Sequence, residues 1–312
     1  MLTDGGGLYA ARPAEVLALA GRDDGNLPSL ELVWDPQVTP CKITVPTNPA
    51  LNPPPVVHAL AVDPREEWVF AVLRTAGVGF DQWANPSACG DGLWAAHRPT
   101  GHGETWQWEW LLKEDGETLF RNLWVVSNAG GTFGALVVGL TEGRLRYTKP
   151  FLRLRQGASG WELQELEIGL PSEEDPPSCR GAGFAFDPHE PTFWVLAAAC
   201  GAVETPAGSL SYLRQSQDGG MTFTPWGTGV FPHRSLGGAL LFRYPDSSRR
   251  LFVHARGEGV MVQTDPDDPA SLVLIQDGLG KLSTTGGASA LTGVWPPPLA
   301  PRSYLPLLLG VP

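Results

Sequence analysis

One short pattern recurs along the chain and constrains its fold more than any other feature. Leu60-Ala61-Val62-Asp63-Pro64 returns as Phe184-Ala185-Phe186-Asp187-Pro188, and more loosely as Leu241-Phe242-Arg243-Tyr244-Pro245-Asp246. After the first two, a second apolar run begins four or five residues past the proline, Trp68-Val69-Phe70-Ala71-Val72-Leu73 and Phe193-Trp194-Val195-Leu196-Ala197. Proline cannot donate to a ladder, and the residue before it avoids the helical region, so each Asp-Pro marks a turn between two strands. A further echo links Gly7-Leu8-Tyr9-Ala10-Ala11-Arg12 to Gly92-Leu93-Trp94-Ala95-Ala96-His97, with a proline within two residues of each. Such self-similarity is the signature of a repeat architecture.

Composition agrees with strands. Gly (38) and Pro (30) are spread along the 312 residues and leave little room for long helices, while 42% hydrophobic and 18% charged residues allow a real core and exclude wholesale disorder. The net charge of -11, with no basic run, makes nucleic acid a poor partner. The chain contains four lysines (Lys42, Lys113, Lys149 and Lys281), which points to a GC-rich genome and a hot habitat. No stretch of membrane-spanning length is apolar throughout, and the start lacks a basic segment followed by an apolar one.

A second motif completes the unit. Ser216-Gln217-Asp218-Gly219-Gly220-Met221-Thr222-Phe223 fits S-x-D-x-G-x-T-[FW] at every position. In such a segment the carboxylate folds back on backbone N–H groups, glycine supplies positive φ, and Thr and the aromatic residue lead into the next strand. It resembles the Asp-box of the BNR-repeat propellers, which include sialidases and sortilin-like domains. The structural Asp-box residues are then Ser216, Asp218, Gly220, Thr222 and Phe223. Pro99-Thr100-Gly101-His102-Gly103-Glu104-Thr105-Trp106 is a degenerate copy without the Ser and Asp, and Gly157-Ala158-Ser159-Gly160-Trp161 a fainter one. The resemblance implies an all-β fold, a β-propeller of four-stranded antiparallel blades.

The aromatic marks at Trp106, Trp161 and Phe223, with Leu30 and Leu272, recur roughly once per 62 residues, a spacing that suits four-stranded blades. Blades are expected at about 56–115, 120–168, 180–227 and 236–277. The half-units at 7–34 and 290–310 are expected to pair as a fifth, making 1–312 one ring without open edges. A chain that starts in mid-blade also leaves room for a leader removed upstream.

The cysteines, Cys41, Cys89, Cys179 and Cys200, lack C-x-x-C spacing, so zinc and haem attachment are poorly supported. If 181–187 and 192–200 form a hairpin with 187 opposite 192, Cys179 faces Cys200 within disulfide reach. Cys41 and Cys89 fall in long connectors that emerge on one propeller face and could meet. Two pairs favour an oxidising compartment; the other reading is four buried thiols in a cytosolic protein.

The loops of that face supply the candidate ligand or partner residues Asp81, Trp83, Glu204, His233, Arg234, Arg256 and Glu258. Trp83 could stack on a sugar, and the charged groups could bind a polar ligand; solvated surface charge explains the same residues more simply. Asp63, Asp187 and Asp218 read as turn formers rather than catalytic acids. The six histidines show no helical i, i+4 pair, so no metal and no cofactor is expected. Propeller glycoside hydrolases work through paired carboxylates, and sialidases through an arginine cluster with a Tyr/Glu nucleophile. Here no Arg-Ile-Pro segment and no assignable arginine triad is present, so the resemblance carries the fold and not the activity. The expected role is a non-catalytic, exported or surface-associated binding or scaffold module, with a protein or glycan partner and a place in a larger assembly. The alternative is a propeller glycoside hydrolase.

Overall fold

A computed structural model describes residues 8–10, 31–34, 55–65, 67–75, 92–100, 106–114, 118–128, 130–143, 149–169, 179–187, 189–200, 210–232, 236–244, 247–255 and 259–275. Every regular element among them is a β-strand, as the scattered Gly and Pro require. The chain divides into two compact units, 1–123 and 124–312.

In the first unit β1 (Leu8–Ala10) and β2 (Glu31–Trp34) pair antiparallel as a two-stranded sheet. A second, four-stranded sheet takes β3 (Pro55–Val62), β4 (Trp68–Thr75), β5 (Gly92–His97) and β6 (Gln107–Lys113) in chain order, each antiparallel to the next. Its inner strands are apolar on both faces, and Trp68–Leu73 and Leu93–Ala96 are all buried. The Asp63 carboxylate closes the β3–β4 turn. It accepts the backbone N–H of Arg65 at 3.1 Å and that of Trp68, which is the Asx geometry that the Asp-Pro sequence favours.

Three more four-stranded antiparallel sheets follow, two of them wholly in the second unit. β7 (Thr118–Ser127), at the junction of the units, joins β8 (Phe133–Gly143), β9 (Phe151–Gly157) and β10 (Gly160–Glu165). β11 (Cys179–Asp187), β12 (Glu190–Cys200), β13 (Leu210–Ser216) and β14 (Thr224–Pro232) form the next. β15 (Leu236–Arg243), β16 (Arg249–Ala255), β17 (Gly259–Gln263) and β18 (Leu272–Ile275) form the last. Each is a simple meander in chain order.

The middle sheet of these three is covered on both sides. Alternate residues of β12, Trp194, Leu196 and Ala198, join Phe151, Val137 and Val126 of the sheet before it. Phe193, Val195 and Ala197 join Leu241, Leu251 and Met261 of the sheet after it. The period-2 alternation of a strand thus feeds two cores, and each fully buried large apolar side chain contributes on the order of 1.5–3 kcal/mol. β11 and β15 approach closely: a Cβ built on Gly183 would lie 2.5 Å from Gly238 Cα, so glycine permits the contact. The far face of the β15–β18 sheet is also apolar. Leu240, Phe252, Val262 and Val273 are register partners across it, and Val273 is 52% exposed.

The β11–β12 register differs from the expected one. Phe186 faces Trp194 and Asp187 faces Glu190, with irregularities after Cys179 and after Phe186. The irregularity near Cys179 absorbs the one-residue offset, and Cys179 lies opposite Cys200 in the backbone ladder.

Candidate functional site

The seven loop candidates Asp81, Trp83, Glu204, His233, Arg234, Arg256 and Glu258 lie outside the described residues, as do Cys41 and Cys89. What the structure does build in detail is the surrounding of the 216–223 turn and of the β11–β12 turn.

Between β13 and β14 the chain reverses around Asp218. Oδ1 accepts the Ser216 hydroxyl at 2.7 Å and the backbone N–H groups of Met221 and Thr222 at 2.9 and 3.0 Å, and Oδ2 accepts the Thr222 hydroxyl. Ser216 Oγ in turn accepts the N–H of Gly220 at 2.8 Å. Desolvation opposes the charged form, but the Thr222 hydroxyl and amide, the Ser216 hydroxyl and the Met221 amide outweigh it and lower the pKa to about 2. Gly219 and Gly220 have φ of +72° and +84°, and a Cβ on Gly220 would enter the Trp194 ring. The Gly219 N–H donates to Thr192 O at 2.8 Å and ties the turn to β12. Phe223, 9% exposed, closes the apolar layer below.

Trp106, Trp161, Phe223 and Leu272 occupy equivalent places, each within one residue of the start of the fourth strand of its sheet. The 264–271 turn of the last sheet uses other groups for the same task. Asp265 and Asp268 accept the N–H groups of Asp267 and Ala270, and Gln263 donates to Pro266 O and Asp268 O.

A charged cluster at the β11–β12 turn was not legible in the sequence. Asp187, 1% exposed, accepts the His189 N–H at 2.9 Å and is gripped by Arg243 Nη2 at 2.6 Å and Nε at 3.2 Å. Arg249 Nη1 lies 3.5 Å from the same carboxylate and 2.8 Å from Glu190, and its guanidinium stands 3.9 Å over the Phe193 ring. Burial works against the Asp187 charge; the Arg243 and His189 bonds and the two guanidinium charges overcome it and hold the pKa below its ordinary value. The cluster joins the β11–β14 and β15–β18 sheets. Its sequence signal, two arginines flanking Tyr244-Pro245-Asp246, has no meaning until those sheets stack. Arg153 of β9, 1% exposed, stands 5.2 Å over the Trp194 ring.

Among the described residues no three His, Cys, Asp or Glu side chains group as metal ligands. Among the described residues no helix is long and apolar enough to cross a membrane.

No family model matches the chain, and no curated protein matches it. Solved structures do. A Dyadobacter fermentans protein of unknown function is similar over 67% of this chain and 66% of its own, at 14% identity and a TM-score of 0.43. A Bacteroides uniformis protein provisionally described as a 6-phosphogluconolactonase is similar over 72% of this chain and 54% of its own, at 10% identity and a TM-score of 0.37. An ancestral GH74 enzyme is similar over 67% of this chain and 25% of its own, at 16% identity and a TM-score of 0.41. The chain thus spans less than two thirds of the length of each of these proteins. These likenesses accompany the all-β architecture and assign no activity.

Proposed function

We propose that the chain is a five-bladed β-propeller of the BNR/Asp-box kind that serves as a non-catalytic, exported or surface-associated binding or scaffold module in a larger assembly. The propeller reading is supported by three four-stranded meanders stacked face to face in chain order, with glycine-mediated contact between the first strands β11 and β15. It is also supported by the bonding of Asp218 inside its turn, which gives the S-x-D-x-G-x-T-F segment a structural use. Closure by the half-units 7–34 and 290–310 would give the apolar far face of the β15–β18 sheet a cover.

The observation that carries the non-catalytic reading is the use made of the motif carboxylates. Asp63, Asp187 and Asp218 are all engaged by turn N–H groups or arginines, which supports a structural use for each of them. Export rests on Cys179 opposite Cys200 in the ladder.

The deciding experiment is the native size of the protein isolated under mild conditions from its source, with cross-linking to identify neighbours. A reproducible large assembly is expected. A free monomer that cleaves polysaccharide would overturn the reading in favour of a glycoside hydrolase. Peptide mass spectrometry with and without reductant should show Cys179 linked to Cys200; free thiols there would remove the argument for export.

A further inference from the structure

β9 sends two arginines toward the 216–222 turn of the neighbouring sheet. A Cβ built on Gly219 would lie 3.8 Å from Arg153 Nη2 and 3.9 Å from Arg155 Nη2, so both guanidinium groups flank one point of the turn. They stand two residues apart on one face of the strand. Arg153 is 1% exposed, and its Nε and Nη2 have no hydrogen-bond partner. Its Nη1 reaches the Met221 sulfur at 3.4 Å, and Gln164 Nε2 donates to the same sulfur at 3.5 Å. No carboxylate pairs with either arginine among the described residues. Glu162, opposite Arg155 in the ladder, sets its carboxylate against Gly157, and Asp218 is occupied within its own turn.

This arrangement is poorly satisfied as it stands. A buried guanidinium without an anion is costly, and a thioether is a weak acceptor for it. Met221 covers Arg153 while remaining 49% exposed, and its unbranched side chain can swing aside. The geometry points to a binding site for a tetrahedral oxyanion, a phosphate or sulfate group, which displaces the Met221 sulfur and is held by Arg153, Arg155 and Gln164. Two guanidinium forks with an amide offer donors from several directions, which suits the spread oxygens of such a group better than a single planar carboxylate. On a chain of net charge -11 the pair is a local reversal of sign.

The test is a titration of the full chain with inorganic phosphate and, separately, sodium sulfate, against sodium chloride at matched ionic strength, read by calorimetry and by thermal melting. Saturable binding with a raised melting temperature is expected for at least one anion, and the preferred one identifies the source of the group. Arg155→Gln should weaken binding at least tenfold, the loss of one charge-assisted contact, without moving the melting temperature of the anion-free protein. Met221→Ala should tighten binding by uncovering Arg153. Arg153 is buried, so Arg153→Met would test folding as much as binding, and the other two variants decide the matter without it. Responses equal to chloride, or binding that Arg155→Gln leaves unchanged, would mean an adventitious ion only and would overturn the site.

Discussion

Gly220 shows how one residue can combine two separate constraints. Its φ of +84° is a conformation that side chains rarely adopt, and a Cβ there would also collide with the Trp194 ring. Gly160 has φ of +124° but open space around a built Cβ. Gly160→Ala should therefore cost about 1–2 kcal/mol, the backbone contribution alone, and Gly220→Ala clearly more because the ring must shift as well. Urea denaturation of the two variants gives the comparison, and equal losses would show that the Trp194 contact carries no weight. The turn was readable from sequence because Ser216, Asp218 and Thr222 bond to one another within a few residues. The burial of Arg153 was not, since its neighbours Trp194 and Met221 come from another sheet.

At the scale of strands and hairpins, the Asp-Pro turns hold the sheets' first two strands together, and one of them does more. Asp187 serves its own hairpin through His189 and the next sheet through Arg243 and Arg249, which lie 56 and 62 residues away. Its pKa is below the ordinary 3.8, so the stability it contributes is present above that pH and is lost as pH falls through its folded value. Asp187→Asn should cost about 2 kcal/mol at neutral pH, less than a wholly buried pair because the arginines are partly exposed. It should also flatten the stability profile below pH 4, measured by denaturant titration at several pH values. A variant profile that still falls as steeply as the wild type would remove Asp187 as the source. Hairpin positions were legible here, but register was not. A bulge is a local choice of backbone that exchanges ladder bonds against packing, and a one-residue slip turns every following side chain to the opposite face. The structure takes its offset along Ala182–Phe186 and corrects it before Cys179.

For the molecule as a whole, the open question is what meets the far face of the β15–β18 sheet, where Val273 and Ile275 are 52% and 44% exposed. If residues 290–310 cover it, as the proposed ring would require, a variant ending at residue 275 should unfold at lower urea and bind a hydrophobic dye that the full chain does not. Unchanged denaturation would count against the proposed ring closure by that segment. Four four-stranded antiparallel sheets were foreseeable, because apolar runs, Asp-Pro turns and the Asp218 motif are local patterns whose hydrogen bonds close within a few residues. The candidate loop residues fall outside the described part, and the site that the structure does build was invisible beforehand. Strand, turn and sheet size follow from chemistry between neighbours in sequence, so they can be read from the order of residues. Which arginine finds a carboxylate and which is left facing a thioether depends on sheets stacking, a contact between residues some sixty positions apart that no local pattern encodes.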